Sequence, residues 1–347
     1  MSSQHAQTAG PRIAVVIPCY KVTRAIAGVL GDIGPWAWGI YCVDDACPDK
    51  SGDFIDGIAK SDPRIRVIRR PRNGGVGAAT MTGYQAAIDD GADILVKVDG
   101  DGQMDPRLVP ALVQPIVRGE ADYVKANRFF SAETVAQMPF VRLFGNAGLS
   151  FMTKLSTGYW DLFDPTNGFT ALEARVAREL PFGSIHPRFF FETDLLFRLG
   201  VLRARVVELP AMAVYGDETS NLSVVSTLMT FPVLHARNFL KRVMFNYLLR
   251  NFSIASINLF VGVALVAFGA SFGAYRWWVA LETANASTAG TVMLAGLPVL
   301  LGIQLLLSFL AYDIGATPRD PLHPRLSMVQ ILTADKHAPT ENIASNG

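Results

Sequence analysis

The sequence predicts an α/β fold: a mostly parallel sheet covered by helices, followed by an interfacial amphipathic helix and two C-terminal transmembrane helices. Three observations carry that expectation. The first 130 residues alternate short apolar runs with helical patterns, the arrangement that builds a helix-covered parallel sheet. Residues able to do chemistry collect where those apolar runs end. Two long uncharged stretches lie near the C-terminus, after residue 250.

Taken in order, the apolar runs predict strands over 13–17, 39–43, 65–68, 94–98 and 123–126. Helical patterns fill 25–33, 52–60, 77–89 and 106–118 between them. The strand ends carry Pro18-Cys19-Tyr20, Asp44-Asp45, Arg69-Arg70, Asp99-Gly100-Asp101 and Asn127-Arg128. Ligands of open α/β sheets bind outside the carboxyl ends of the strands, so all five sets are expected to face one crevice. Residues 131–220 are less regular and richer in Phe and Pro. From Leu222 to Leu249 a helical pattern mixes apolar residues with His235, Arg237, Lys241 and Arg242, as in a helix lying in a membrane interface or one packed on the domain.

Twenty-five uncharged residues separate Arg250 from Arg276, and 30 separate Glu282 from Asp313. A bilayer core needs about 20 apolar residues of helix, so each stretch is long enough to span. They account for a mean hydropathy of +0.27, high for a soluble α/β protein. Arg237, Lys241, Arg242 and Arg250 precede the first span, Arg319 and Arg325 follow the second, and the connection holds only Arg276. The positive-inside rule then predicts an inner-membrane protein with two spans, its N-terminal domain and both termini cytoplasmic. Trp277 and Trp278 fall where an interfacial aromatic belt is expected. The polar first ten residues lack an apolar h-region, so no signal peptide is expected. A formal net charge of +1 without a basic run gives no indication of a nucleic-acid partner. Cys19, Cys42 and Cys47 read as free thiols, and no His/Cys cluster has zinc spacing.

Asp99 and Asp101 are one residue apart just past a predicted strand, with Gly100 and Gly102 freeing the backbone and Gln103 close behind. Such oxygen donors can converge on one hard cation, although a solvated polar turn has the same sequence. After the second strand, Asp45 can accept hydrogen bonds from a nucleobase or ribose, while Asp49 or Ser51 can cap the next helix. The loop Arg72-Asn73-Gly74-Gly75-Val76-Gly77 opens a helix and can cradle an anion. Arg128 and Arg142 are candidate diphosphate clamps, because guanidinium binds phosphate oxygens in pairs.

In this order the motifs Ile17-Pro18-Cys19-Tyr20, Val43-Asp44-Asp45, Arg72 with its glycine loop and Asp99-Gly100-Asp101-Gly102-Gln103 resemble those of family 2 glycosyltransferases of the GT-A fold. The likeness is to the polyisoprenyl-phosphate sugar synthase branch, which includes dolichol-phosphate mannose synthases and undecaprenyl-phosphate glucosyltransferases. Asp164-Pro165-Thr166-Asn167-Gly168-Phe169, Phe191-Glu192 and Glu208-Leu209-Pro210 resemble later landmarks of that branch. Lys21-Val22 departs from it, standing where many relatives carry Asn-Glu.

The resemblance implies a hexosyltransferase that passes a sugar from a nucleotide-sugar donor (UDP-glucose-like or GDP-mannose-like) to a polyisoprenyl phosphate, inverting and dependent on Mg2+ or Mn2+. It implies nucleotide-sugar contacts from Pro18, Tyr20, Val43, Asp45, Arg72, Asp99 and Gly100, and metal ligation by Asp101 and Gln103. Catalytic roles fall to Asp99, Asp101, Arg128 and Arg142, and the acceptor region to Asp164, Asn167, Gly168 and Glu192. The expected layout is a disordered segment 1–11, a catalytic domain 12–220 whose later half is an acceptor subdomain, an interfacial helix region 221–250, spans 251–275 and 291–312, and a disordered cytoplasmic tail 326–347; the resemblance admits a homo-oligomer, and the sequence leaves the oligomeric state open. Three other readings fit parts of the pattern. A processive polysaccharide synthase would use a Gln-x-x-Arg-Trp motif, whereas Arg276-Trp277 lacks the glutamine. A non-catalytic membrane-anchored nucleotide-binding scaffold would have lost the acidic residues present here. A nicotinamide dehydrogenase would carry a third glycine, absent from Gly75-Val76-Gly77-Ala78-Ala79-Thr80.

Overall fold

The computed structural model describes residues 10–128, 140–164, 167–210 and 224–328. Expectations placed on residues 1–9 and 329–347 lie outside these. Seven strands form one sheet: β1 (Ile13–Cys19), β2 (Ala37–Asp44), β3 (Ile65–Arg69), β4 (Ile94–Lys97), β5 (Tyr123–Asn127), β6 (Thr170–Glu173) and β7 (Val206–Pro210). Their order is β3-β2-β1-β4-β6-β5-β7. All pairings are parallel except those of β6, which runs antiparallel between β4 and β5.

Strand β1 lies inside the sheet, beside the central strand β4, and is buried along its whole length. Successive side chains alternate between faces, so Ile13, Val15, Ile17 and Cys19 join one core while Ala14 and Val16 join the other. The first core is closed by α1 (Ile26–Gly31), α2 (Ser51–Ala59) and α4 (Val109–Val117), through residues such as Ile26, Ile55 and Leu112. The second is closed by α3 (Val76–Asp89), α6 (Ala174–Arg178) and α7 (Phe191–Leu202), through Tyr84, Val176 and Leu196. With β2 on one side of β1 and β4 on the other, the chain reverses its winding at β1, which opens a crevice at the carboxyl ends of β1 and β4.

The later half of the domain adds two strands that the sequence reading did not name. Strands β6 and β7 complete the same sheet, and the omission has a plain cause: β6 has four residues and β7 ends in Pro210, so neither gives a period-2 signal. Helix α5 (Phe140–Thr157) packs alongside α8 (Val224–Val243). Helix α8 turns polar residues inward. His235 Nδ1 meets Ser156 Oγ at 2.9 Å, Asn238 Nδ2 donates to Asp194 Oδ1 at 3.1 Å, and Arg242 is buried. Burial among these groups pushes the His235 imidazole down to about 4, so it is neutral at pH 7. Val233 and Leu240 are exposed instead, each by about two thirds of its surface. This inverts the pattern of a soluble surface helix.

After α8 the chain makes a π-helical segment, Met244–Arg250, and enters α9 (Ile254–Thr283) and α10 (Ala289–Gly315). These two helices are long and apolar enough to cross a bilayer, and most of their surface is exposed. Helix α9 runs eight residues past the expected boundary at 275, so Arg276, Trp277 and Trp278 lie on its last turns rather than in a connecting loop. The two helices pack closely, with Gly262 and Gly302 facing each other: a Cβ on Gly262 would come within 3.0 Å of the Gly302 carbonyl oxygen.

The segment after α10 returns to the domain. Asp122, just before β5, accepts from the backbone of Leu322 at 2.7 Å, of His323 at 2.8 Å and of Arg205 at 2.7 Å, and its Oδ1 also meets His323 Nδ1 at 2.8 Å. Burial opposes ionisation of this carboxyl, but the converging donors outweigh it and hold Asp122 below the ordinary carboxylate range. Leu322 and Leu326 pack on the second core, and Arg175 bonds Ser327 Oγ. Residues 326–328 therefore belong to a docked helical turn, which corrects the expectation of disorder from 326 onward. Asp122→Ala is expected to free residues 317–328, seen as at least a tenfold faster proteolytic nick there; an unchanged rate would show that the apolar contacts alone hold the segment.

Candidate active site

The crevice is built from three linked groups of side chains. In the first, Lys97 ends β4 and its side chain is 2% exposed. Its Nζ donates to Asp99 Oδ1 at 2.6 Å and to the Gly168 carbonyl at 3.4 Å, and lies 3.9 Å from Glu192 Oε1. Burial lowers the Lys97 pKa, but the charges of Asp99 and Glu192 outweigh it and leave the amine above its ordinary value. Glu192, in the first turn of α7, is pushed up to about 7 by burial, against the pull of Lys97 and Lys125. Lys125 is pulled down to about 8 by burial and gives its Nζ to the Asn167 carbonyl at 2.6 Å. Gly168 is required here: a Cβ would meet Lys97 Nζ at 2.4 Å and Asp99 Oδ2 at 3.0 Å. The turn continues through Gly100, packed on Val22 and Ile17, to Asp101, whose Oδ1 accepts from the Gln103 amide at 3.0 Å. Between them Gly102 has φ +81°, the left-handed region glycine tolerates.

The second group surrounds Asp45. Its carboxylate accepts from Arg70 Nη1 at 2.5 Å, Gly74 N at 3.0 Å and Gly75 N at 2.7 Å. The glycine loop thus cradles the protein's own carboxylate, where the sequence reading offered its amides to a ligand anion. Arg72 is exposed on that loop. Arg69 does not face the crevice: it pairs with Asp53 and Asp56 on α2. Helix α2 is capped by neither Asp49 nor Ser51, because Asp44 accepts from Cys47 N at 2.8 Å and Gly52 N at 3.1 Å. Pro18 and Val43 are register partners buried in the sheet, and Val43 packs on the α3 face. They shape the floor of the crevice, whereas Tyr20 is 45% exposed at its rim. All three thiols are free, as expected.

In the third group, Arg128 donates to both Asp164 oxygens, at 2.8 and 3.0 Å, and Asp164 is fully buried. Glu208 on β7 accepts from Asn127 Nδ2 at 2.9 Å and from Asp164 N at 2.8 Å, so it fixes the segment that fixes Arg128. Asn167 ties β5 to β6, giving Nδ2 to the Ala126 carbonyl at 2.6 Å and accepting from Phe169 N at 3.0 Å. Arg142 lies on α5, and its side chain is outside the described residues.

Asp99, Asp101 and Arg128 therefore follow the carboxyl ends of β4 and β5, Gly168 precedes β6, Asp164 comes from the loop before it and Glu192 from the first turn of α7. Among the described residues no three His, Cys, Asp or Glu side chains converge in a way that could hold a metal ion. Asp101 and Gln103 nevertheless offer oxygen donors of the type hard cations take, and Mg2+ commonly binds through one or two carboxylates plus substrate phosphates. The donor set fits such an ion only when a diphosphate completes its shell.

The profile of glycosyl transferase family 2 matches residues 14–180, the span that carries all three groups up to β6. An undecaprenyl-phosphate mannosyltransferase of Micrococcus luteus is 30% identical over 203 residues, which are 57% of this chain and 82% of that protein. The chain belongs to glycosyltransferase family 2. It is a glycosyltransferase, which removes the scaffold and dehydrogenase readings. A second relative, a UDP-N-acetylglucosamine–dolichyl-phosphate N-acetylglucosaminyltransferase of Methanococcus voltae, is 26% identical over 242 residues, 66% of this chain and 96% of that protein. Among solved structures, mannosyl-3-phosphoglycerate synthase from Rubrobacter xylanophilus superposes with a TM-score of 0.50 at 16% identity, covering 70% of this chain and 77% of that one, a likeness of fold.

Two lysines of the candidate site, Lys97 and Lys125, were given no role by sequence reasoning, and Glu208 entered only through the likeness of Glu208-Leu209-Pro210. The signal for the lysines was present. Each interrupts an apolar strand that is buried on both faces, where a charge is retained only beside a partner. Glu208 gave no such signal, because its strand lies at the sheet edge and is half-buried.

Proposed function

We propose that this glycosyltransferase moves a hexose from a nucleotide-diphosphate sugar to the phosphate of a polyisoprenyl lipid, at the cytoplasmic face of the membrane that α9 and α10 span. The single observation that carries the reading is the placement of the Asp99–Asp101 turn on the same domain as two long apolar helices, with an inverted amphipathic helix between them. The two curated relatives, both named for transfer to a polyprenyl or dolichyl phosphate, support it. Because one is named for mannose and the other for N-acetylglucosamine, sugar identity does not follow from them.

A phosphate monoester has a second pKa near ~6 and is mostly dianionic at neutral pH, so the acceptor needs no general base. Its oxygen attacks the anomeric carbon, the bond from that carbon to the diphosphate breaks, and the nucleoside diphosphate leaves with inversion. A divalent cation, when bound at Asp101 and Gln103, supplies charge neutralisation to the leaving diphosphate. Arg128, oriented by Asp164 and through it by Glu208, meets phosphate oxygens at the mouth of the crevice, and Arg142 on α5 is proposed for the same role. Asp99, held by Lys97, takes the ribose-phosphate side of the donor, with Tyr20 and the exposed Arg72 at the nucleoside end. Asn167, Gly168 and Glu192 shape the acceptor side.

The test is a screen of UDP- and GDP-sugars against membranes containing undecaprenyl phosphate, reading transfer to the lipid with and without Mn2+. Metal-dependent formation of a single lipid-linked monosaccharide is the expected product. Polymer growth would favour a processive synthase, and donor hydrolysis without lipid product would overturn the acceptor assignment.

A further inference from the structure

At the root of the two long helices lies a cavity of about 670 Å³ that shares no residue with the crevice. Its walls include Arg203, Arg242, Asn246, Tyr247, Arg250 and Asp313. Arg203 follows α7 and leads into the start of β7, which places the cavity at the opposite end of the sheet from the catalytic turn. Helix α8 runs from one to the other: His235 packs on Phe190 just before α7, and Arg242 reaches the far end.

Three guanidinium groups face one carboxylate there. Arg242 and Asp313 neutralise each other in a bidentate pair, 2.7 and 2.8 Å. Arg203 gives one N–H to the Ala316 carbonyl at 3.2 Å, and Arg250 one to the Val201 carbonyl at 2.5 Å, so both sit at an exposed rim bonded to neutral carbonyls rather than to a carboxylate among the described residues. Two further observations point to a ligand. Arg242 is 2% exposed, yet its Nε is a buried donor with no partner among the described residues, and Asn246 Oδ1 is a buried acceptor in the same condition. The wall carrying Asn246, Tyr247 and Arg250 is the π-helical segment Met244–Arg250, a rare backbone form frequently found at functional sites. Gly158, at φ +83°, lets Arg242 approach: a Cβ there would meet its Nη1 at 2.8 Å.

We propose that this cavity binds the headgroup of an anionic phospholipid of the surrounding bilayer, one per chain, with Arg203 and Arg250 on the phosphodiester. The net charge of two arginines selects an anionic lipid over a zwitterionic one. Asn246 Oδ1 accepts from a headgroup hydroxyl, which fits a phosphoglycerol headgroup. The inference rests on the reading that α9 and α10 span the membrane. A free phosphate anion presents the same oxygens to the arginines, and the experiment separates the two sources.

The full chain, purified in detergent, is mixed with phosphatidylglycerol, phosphatidylcholine or inorganic phosphate and examined by native mass spectrometry. Flotation with vesicles of either lipid is followed in parallel. The expected result is one phosphatidylglycerol retained per chain, at least tenfold over phosphatidylcholine and not displaced by millimolar phosphate. In Arg203→Ala/Arg250→Ala that retention falls at least tenfold, while flotation and thermal stability hold. In Arg203→Lys/Arg250→Lys it is partly kept. Equal retention of the two lipids, or undiminished retention by the alanine variant, would overturn the proposal, and displacement by phosphate would replace the lipid with a free-anion site. A chain that floats with neither vesicle overturns the membrane reading itself, whereas one that floats without selecting phosphatidylglycerol overturns this inference alone.

Discussion

Asp101→Ala is expected to lower sugar transfer by at least ~10³-fold, about 4 kcal/mol of transition-state stabilisation, and to leave a folded, membrane-associated protein. The reasoning is local. Asp101 stands on a turn between two glycines, and its Oδ1 accepts from the Gln103 amide two residues on, so its loss disturbs little packing. Its neighbour is a poorer choice for the test. Asp99 is the nearest counter-charge of a lysine whose side chain is 2% exposed, and removing it would leave Lys97 with Glu192 at 3.9 Å. A loss of activity in Asp99→Ala would then mix site chemistry with the cost of an under-compensated buried charge. The readouts are transfer to the lipid acceptor, donor binding by calorimetry with and without Mn2+, and circular dichroism. Transfer retained in Asp101→Ala would sink the metal assignment. Loss of Mn2+ enhancement of donor binding, with an unchanged spectrum, is the outcome that supports it.

The second large effect is one of stability. Asp313, near the end of α10, takes both Arg242 nitrogens, Trp160 Nε1 at 2.9 Å and the Tyr247 hydroxyl. Asp313→Ala would strand these donors, and breaking a buried ion pair from one side costs about 3–5 kcal/mol. At about 2.1 cal/mol/K of unfolding entropy per residue, a 347-residue chain would show a fall in apparent Tm of roughly 4–7 °C. Replacing both partners with apolar residues, as in Arg242→Met/Asp313→Leu, is expected to recover most of the loss, because the two buried charges then vanish together. An unchanged Tm in Asp313→Ala would mean that the pair is solvated in the membrane-bound protein and contributes little.

The parallel strands were legible because β1 to β5 are apolar and separated by helical periodicity, and because the Asp99–Asp101 turn follows directly from β4. The two long helices were legible from absence of charge alone. What escaped were features fixed by contacts distant in sequence. Asp313 and Arg242 read as charges flanking the spans, but 71 residues apart they form one buried pair. The glycine loop read as an open anion cradle, because no local pattern reveals that Asp45 fills it from another strand end. The helix cap went to Asp44, seven residues before Ser51, through a carboxylate that sequence reading paired with Asp45 in the crevice. Arg128 and Asp164 were both selected as site residues, yet their pairing required the return of the chain beside β5.

The segment that follows α10 ends on Asp122, and the segment that precedes α9 is anchored by Arg242. The apolar hairpin is thus a closed bracket, bolted to the domain at its entry and at its exit. A body mounted on a single stalk can swivel and bob; one mounted on two bolts cannot do either without releasing one of them. Under the proposed function, the height and heading of the crevice above the lipid surface are then set by construction, and the travel needed for reaction falls to the long, pliable acceptor rather than to the enzyme.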